Sequence, residues 1–258
     1  MIRGVLELIQ PIFEAKGLTK QYGDSFALQD IHMTIGVGEI YGFVGENGAG
    51  KTTLMKIIGG LVHATEGSIS LFGKKETKEL RDARRKVGFL IERPALYPNL
   101  NAVQNLMFYC HAFGIQDKGR IEEVLQAVSL SDVGNKNTSA YSLGMKQRLG
   151  LAIALLHEPE FLVLDEPING LDPSGIVEIR KILEKLAKEQ GVTILISSHI
   201  LGELQLLATK YGFIHRGRLI QEISAEELLQ TAETKPCIQK VVPSLENYYM
   251  DLIGGDRG

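Results

Sequence analysis

The sequence has 258 residues, 44% of them hydrophobic, enough to bury a large core in one big domain or in a domain with appendages. A net charge of -3 gives no overall basic footprint for nucleic acid; the most basic stretch, Lys74 to Lys86, mixes seven basic with three acidic residues and reads as a solvated face, with Asp82 and Lys86 spaced for a helical ion pair. Cys110 and Cys237 are the two cysteines, far apart and without ligand spacing, which excludes a disulfide framework or a cysteine zinc site and fits a reducing compartment.

The chain opens with a mildly apolar stretch, Met1 to Phe13, that Glu7 and Gln10 interrupt and no small-residue cleavage site follows, so it reads as a poor signal peptide. No apolar run approaches the roughly 18 to 20 residues that cross a bilayer; if the protein serves a membrane, another chain is expected to cross it. Ile40 to Val44, Val87 to Ile91, Phe161 to Leu164 and Val192 to Ser197 are short apolar runs expected as buried strands of a mainly parallel sheet. Ile121, Val124, Leu125 and Val128 repeat at helical spacing, as do Ile179, Ile182, Leu183 and Leu186. The fold class is therefore α/β.

From about residue 93 to 158 the patterns are helical and no strand stands out, which predicts an inserted helical subdomain. Asn101 and Gln104 form a capping-box pair for a helix through Tyr109, and Pro159 closes the block. Toward the end, Ser224 and Glu227 form another capping box, and Leu245, Tyr248, Tyr249 and Leu252 make a helical stripe stopped by Gly254 and Gly255. The expected domains are a main unit over 12–222 and a helical accessory tail over 223–258.

Gly45-Glu46-Asn47-Gly48-Ala49-Gly50-Lys51-Thr52 fits the phosphate-loop pattern G-x-x-x-x-G-K-[ST], and it has the required context, following an apolar strand and opening a helix. Glycines let the backbone wrap phosphate oxygens with inward N–H groups, and the positive end of the following helix adds to the field. Lys51 is expected on the β- and γ-phosphates of ATP, Thr52 on Mg²⁺ and Thr53 on the phosphates. A second strand ends in Asp165-Glu166, at the sheet edge where ligands of open α/β folds bind; Asp165 suits Mg²⁺ and Glu166 suits an attacking water. A glycine-rich turn before a helix and a simple acidic helix cap are the structural alternatives for these two segments.

With these motifs and four more, the sequence resembles the ABC ATPase family over about residues 12 to 220. Tyr141-Ser142-Leu143-Gly144-Met145-Lys146-Gln147 sits where that family carries its signature, opening a helix through Leu156. Gly170-Leu171-Asp172 looks like its D-loop, and His199, after Ser197-Ser198, like its switch histidine. Tyr22, in Lys20-Gln21-Tyr22-Gly23, matches its adenine-stacking aromatic, though a half-buried strand tyrosine is the plainer reading. The resemblance implies a P-loop NTPase with a RecA-like, mainly parallel sheet core, an N-terminal antiparallel β part and an inserted α-helical subdomain. It implies ATP and Mg²⁺, with Glu166, His199 and Lys51 as catalytic groups. It also implies a head-to-tail homodimer in which Ser142 and Gly144 of one subunit reach the γ-phosphate held by Lys51 of the other. The implied setting is the cytoplasmic face of the cell membrane, on a separate polytopic permease, with no nucleic-acid partner.

Two departures from the family pattern carry information. Leu143 and Met145 replace the usual signature glycine and glutamine, and Glu92, in Ile91-Glu92-Arg93-Pro94, stands where the family has a glutamine. A carboxylate there can still ligand Mg²⁺ but cannot donate a hydrogen bond. The Glu-Xaa-Pro pattern, the Ser-Leu-Gly-Met-Lys-Gln signature and the ending Ser244-Leu245-Glu246-Asn247-Tyr248-Tyr249 resemble the bacitracin-resistance and lantibiotic-immunity branch, which implies export of peptide antibiotics. Transport of another substrate, a non-transport ABC ATPase and a small-molecule kinase sharing the P-loop are the competing readings.

Overall fold

Alternating apolar positions give the first two strands one buried face. β1 (Phe13–Tyr22) and β2 (Ser25–Ile35) pair antiparallel from Phe13 opposite Ile35 to Tyr22 opposite Ser25, turning through Gly23 and Asp24. The fully buried run of β3 (Ile40–Val44) leads into α1 (Lys51–Ile58), and β4 (Glu66–Leu71) then returns to pair antiparallel with the other edge of β1. This three-stranded sheet is the antiparallel part that the resemblance implied. The computed structural model describes residues 10–75, 77–117, 119–233 and 244–254; Cys237, Gly255 and the chain before residue 10 lie outside them.

α2 (Thr77–Ala83) gives way at once to a tight 3₁₀ turn over Arg84–Lys86. In such a turn side chains three apart align rather than four. The expected pairing of Asp82 with Lys86 therefore does not form, and Lys86 Nζ lies 2.7 Å from Glu160 Oε1 instead. Nor is the basic stretch wholly solvated, because the Arg84 guanidinium Nε donates to the Ile58 carbonyl at 2.7 Å. β5 (Val87–Leu90) stops one residue before the expected end, as the chain turns through Glu92 with φ +62.

The inserted segment is helical, as its patterns require. α3 (Ala102–Phe113) opens with the full Asn101–Gln104 capping box and runs past Tyr109 to a left-handed cap at Gly114. Cys110 is free and buried on it. α4 (Gly119–Ala127) buries Val124 and Leu125. In α5 (Leu143–Leu155), the Ser142 hydroxyl caps the start by accepting the Met145 N–H at 3.2 Å, and the helix ends short of Pro159. Fully buried Asn105 ties the preceding loop down: its side chain accepts the Tyr97 N–H at 2.8 Å and donates to the Leu100 carbonyl at 3.2 Å.

β6 (Phe161–Asp165), α6 (Pro173–Gln190), β7 (Thr193–Ser198), α7 (Leu201–Gln205), β8 (Lys210–His215) and β9 (Arg218–Ser224) complete the main unit. The six-stranded sheet has the order β5-β6-β7-β3-β8-β9, with every neighbouring pair parallel except β8 and β9. α6 lays Ile179, Ile182, Leu183 and Leu186 into the core, and each such fully buried aliphatic is worth roughly 1.5–3 kcal/mol. β9 continues through Ser224, beyond the boundary expected at residue 222. α8 (Ala225–Glu233) then opens with a reciprocal Ser224–Glu227 capping box, and α9 (Leu245–Gly254) buries Leu245 and Tyr249. Among the described residues, no helix is long and apolar enough to cross a membrane.

The register decides where chemistry gathers. Val44 lies opposite Ser198, and Asp165 lies opposite Ser197, so the ends of β3, β6 and β7 share one sheet edge. Everything that follows these residues in sequence emerges together at that edge.

Candidate nucleotide site

The loop after β3 is shaped by positions that cannot carry a side chain. Gly50 has φ +113, and a Cβ on it would sit 2.4 Å from the Ala27 carbonyl oxygen. Gly50 also occupies the N-cap of α1 without a side-chain cap, and the first turn holds no acidic residue. The amide groups that open α1 are thus left for an outside anion. Gly50→Ala is expected to cost about 1–3 kcal/mol of stability through backbone strain and to abolish ATP binding. Thermal unfolding with and without ATP measures both effects, and wild-type behaviour in each would contradict the close approach.

Lys51, only 5% exposed, folds back on the loop, donating from Nζ to the Gly45 carbonyl at 2.6 Å and the Glu46 carbonyl at 3.1 Å. Its third neighbour is Glu166 Oε1 at 3.4 Å. A buried ammonium needs such partners, and a polyphosphate can replace them with stronger, charge-assisted ones. Next on the helix, Thr52 Oγ1 donates to Asp165 Oδ2 at 2.6 Å. Thr53 follows it, half-buried, while Glu46, Asn47 and Gly48 are exposed on the loop and Ala49 is buried beneath.

Asp165 is 3% exposed, and its second oxygen accepts the Ser197 hydroxyl at 2.7 Å. The same Ser197 oxygen accepts the Glu166 backbone N–H at 2.9 Å. Ser197 therefore clamps the two acidic residues together, a role that the sequence reading did not assign; the only signal was a hydroxyl at the end of an apolar strand. Glu166 itself sits at φ +50, an uncommon conformation for a residue with a Cβ and one that marks functional sites. Its Oε2 lies 2.7 Å from His199 Nδ1, while its buried Oε1 closes no hydrogen bond and faces Lys51. The structure thus brings Lys51, Thr52, Asp165, Glu166 and His199 into one connected group.

The remaining site candidates make no hydrogen bond to that group. Tyr22 is 50% exposed at the β1–β2 turn, with the Lys20 ammonium 4.7 Å from its ring centroid. Glu92 pairs with Lys56 on α1, Nζ to Oε1 at 2.6 Å, and that donated hydrogen bond holds its carboxyl below the usual glutamate range. Among the described residues, no three His, Cys, Asp or Glu side chains form a metal cluster. Ser142 is exposed, and Gly144 lies against Leu171 of the loop before α6; no hydrogen bond links either to residues 45–53. An open cleft of about 790 Å³ runs between the two regions, lined by Glu92, Leu143, Gln147, Asp165, Glu166 and Gly170 among others.

The sequence model described as "ABC transporter" matches residues 28–169, from the second strand through the loop after Glu166. The chain belongs to the ABC transporter ATP-binding family. The bacitracin transport ATP-binding protein BcrA of Bacillus licheniformis is 46% identical to this ABC ATPase over 217 residues, covering 84% of this chain and 71% of that protein. The lantibiotic transport ATP-binding protein SrtF of Streptococcus pyogenes is 44% identical over 211 residues, covering 82% and 90%.

Among solved structures, cbiO1 of Clostridium perfringens, part of the ABC transporter complex cbiONQ, superposes with a TM-score of 0.77 at 29% identity, covering 87% of this ABC ATPase and 92% of that chain. A dimeric ATP-binding cassette in a post-hydrolysis state, bound to ADP and Pi, superposes with a TM-score of 0.74 at 27% identity, covering 83% and 98%. This chain is accordingly an ATP hydrolase of the ABC type, the ATP-binding subunit of a transporter.

Proposed function

We propose that this ABC ATPase powers export of a peptide antibiotic of the bacitracin or lantibiotic kind, as a homodimer docked on a separate polytopic permease at the cytoplasmic face of the membrane. Its likeness to the BcrA and SrtF proteins supports the cargo class, and the dimeric cassette supports the assembly. The observation that carries the catalytic part is the contiguous run from Lys51 through Glu166 to His199.

In this reading Lys51 leaves the Gly45 and Glu46 carbonyls for the β- and γ-phosphates, which also receive the N–H groups of residues 45–50 and the Thr53 hydroxyl. Tyr22 stacks on adenine, its ring already half in solvent. Thr52 and Asp165, 2.6 Å apart, offer the hydroxyl and carboxylate oxygens that suit Mg²⁺, which when bound neutralises phosphate charge. Glu92, whose Oε1 holds Lys56, would offer its other carboxylate oxygen to that ion while linking α1 to the helical subdomain. Glu166 takes a proton from the attacking water as its oxygen bonds the γ-phosphorus and the bond to ADP breaks. His199 orients Glu166 and the γ-phosphate. Ser142 and Gly144 of the second copy bring a helix N-terminus to that phosphate and complete the site.

Deleting this subunit from its host is expected to raise sensitivity to bacitracin or a lantibiotic at least several-fold in inhibitory concentration, and the tagged protein should co-purify with a multi-span membrane chain. Unchanged sensitivity to every cell-envelope peptide antibiotic would remove the cargo assignment and leave the ATPase intact.

A further inference from the structure

His199 is placed by the segment that follows it. Its ring is 39% exposed and makes one hydrogen bond among the described residues, with Nδ1 2.7 Å from Glu166 Oε2. Behind it the chain leaves the buried end of β7, and ahead of it α7 begins at Leu201. α7 is five residues long and has no side-chain cap at Ile200. The Glu203 and Leu204 N–H groups reach the Ile200 carbonyl only at 3.3 and 3.4 Å. So short a helix is not stable by itself, and its seat is set by its neighbours.

Leu201 and Leu204 are buried, but apolar burial is non-directional and does not fix how one turn of helix is rolled on the core. Two directional bonds do. The Arg180 guanidinium donates from Nη1 to Glu203 Oε2 at 3.0 Å, and both side chains are partly buried. At the end of α7, Gln205 Oε1 accepts the Leu245 N–H at 3.0 Å and ties that end to α9. Arg180 rises from the middle of α6, whose flanking Ile179, Ile182 and Leu183 are set in the core, so the donor stands on a rigid base. The ion pair closes over a small pocket lined by Ile176, Leu183, Ile196 and Leu204. Two apolar side chains would pack over that ground without desolvating two charges. What the ion pair adds is direction.

We propose that Glu203 is a positioning residue for hydrolysis: held by Arg180, it fixes the seat of α7 and with it the backbone of His199, so that the imidazole meets Glu166. This rests on the reading of Glu166 and His199 as the groups that act on the attacking water. Gln205 keeps α7 docked when the ion pair is cut, so cutting it turns the helix rather than releasing it. ATP binding, which the phosphate loop carries, is left as it was.

The test is steady-state ATPase activity of the full chain. Glu203→Ala is expected to lower kcat about 10-fold, as a small misplacement of a catalytic group does, while KM for ATP and the Kd of a fluorescent ATP analogue stay within about twofold of wild type. Arg180→Ala cuts the same bond from the other side and should reproduce the loss. Glu203→Gln, whose side-chain carbonyl still accepts from Nη1, should recover most of it. Joined to His199→Ala, Glu203→Ala should lower kcat no further, because the group that it positions is gone. Wild-type kcat in either Glu203→Ala or Arg180→Ala overturns the proposal. So does a loss that multiplies in full with that of His199→Ala, or one in which ATP binding weakens as much as kcat falls, the mark of general loosening. If His199→Ala itself hydrolyses ATP at the wild-type rate, the reading of His199 fails first and the proposal falls with it; if His199→Ala is impaired and Glu203→Ala is not, only the role of Glu203 falls.

Discussion

Replacing Glu166 with glutamine is expected to lower ATP turnover about 10²- to 10⁴-fold, the range a positioned general base supplies, while ATP binding persists. The substitution is nearly isosteric, and glutamine at φ +50 meets the same backbone constraint that Glu166 already bears. What disappears is the carboxylate charge 3.4 Å from the Lys51 ammonium and the acceptor for a water proton. The Asp165 clamp is untouched, because Ser197 holds the residue-166 backbone N–H rather than its side chain. Phosphate release should therefore collapse, and, if the proposed dimer closes on ATP and reopens on hydrolysis, ATP-dependent dimers should accumulate on size exclusion. Wild-type phosphate release without accumulated dimer would be fatal to the assignment of Glu166 as the base. His199→Ala offers no equivalent test, because it removes the 2.7 Å partner that orients Glu166 and mixes positioning with chemistry.

How legible the site was in the sequence depended on whether chemistry and backbone geometry coincided. The strands Ile40–Val44 and Phe161–Asp165 were readable because a strand buried on both faces must be continuously apolar, and their ends placed Gly45 and Asp165 at once. The capping boxes at Asn101 and Ser224 were readable because they satisfy local donors within four residues. β8 was harder, since its Lys210–His215 segment is mixed in character and owes its strand state to the neighbours β3 and β9. Ser197 escaped for a related reason. Its importance lies in a pairing with Asp165 across two strands distant in sequence, and only register reveals that.

Glu92 carries a contact that the sequence did not disclose. Its place in the family order suggested Mg²⁺, and in the left-handed turn at φ +62 its Oε1 also takes Lys56, a residue that no motif contains. The pairing is exposed, so solvent screens it and its worth in stability is small. Its value is geometric, for Lys56 belongs to the helix that begins with Lys51 and Thr52, and Glu92 belongs to the loop that enters the helical subdomain.

The second large effect separates a site complete in one chain from one completed by a second copy. Gly144→Asp is expected to reduce ATPase activity at least about 100-fold, as loss of donors aimed at developing phosphate charge does elsewhere. Within one chain the position has room for a side chain: a Cβ at Gly144 would touch nothing nearer than Leu171 Cδ2, at 3.8 Å. The position is helical, Ser142 retains its cap on the Met145 N–H, and no hydrogen bond joins this helix end to residues 45–53. Thermal stability and the ATP affinity of the monomer should therefore stay within error of wild type. If a second copy presents this helix N-terminus to the γ-phosphate, the added carboxylate meets like charge where an amide was needed, and the ATP-dependent dimer fails to form. Undiminished hydrolysis by Gly144→Asp would mean that the group from Lys51 to His199 acts alone. Loss of hydrolysis with intact stability and intact ATP binding has no explanation inside a single chain, because the altered residue contacts none of the catalytic groups there.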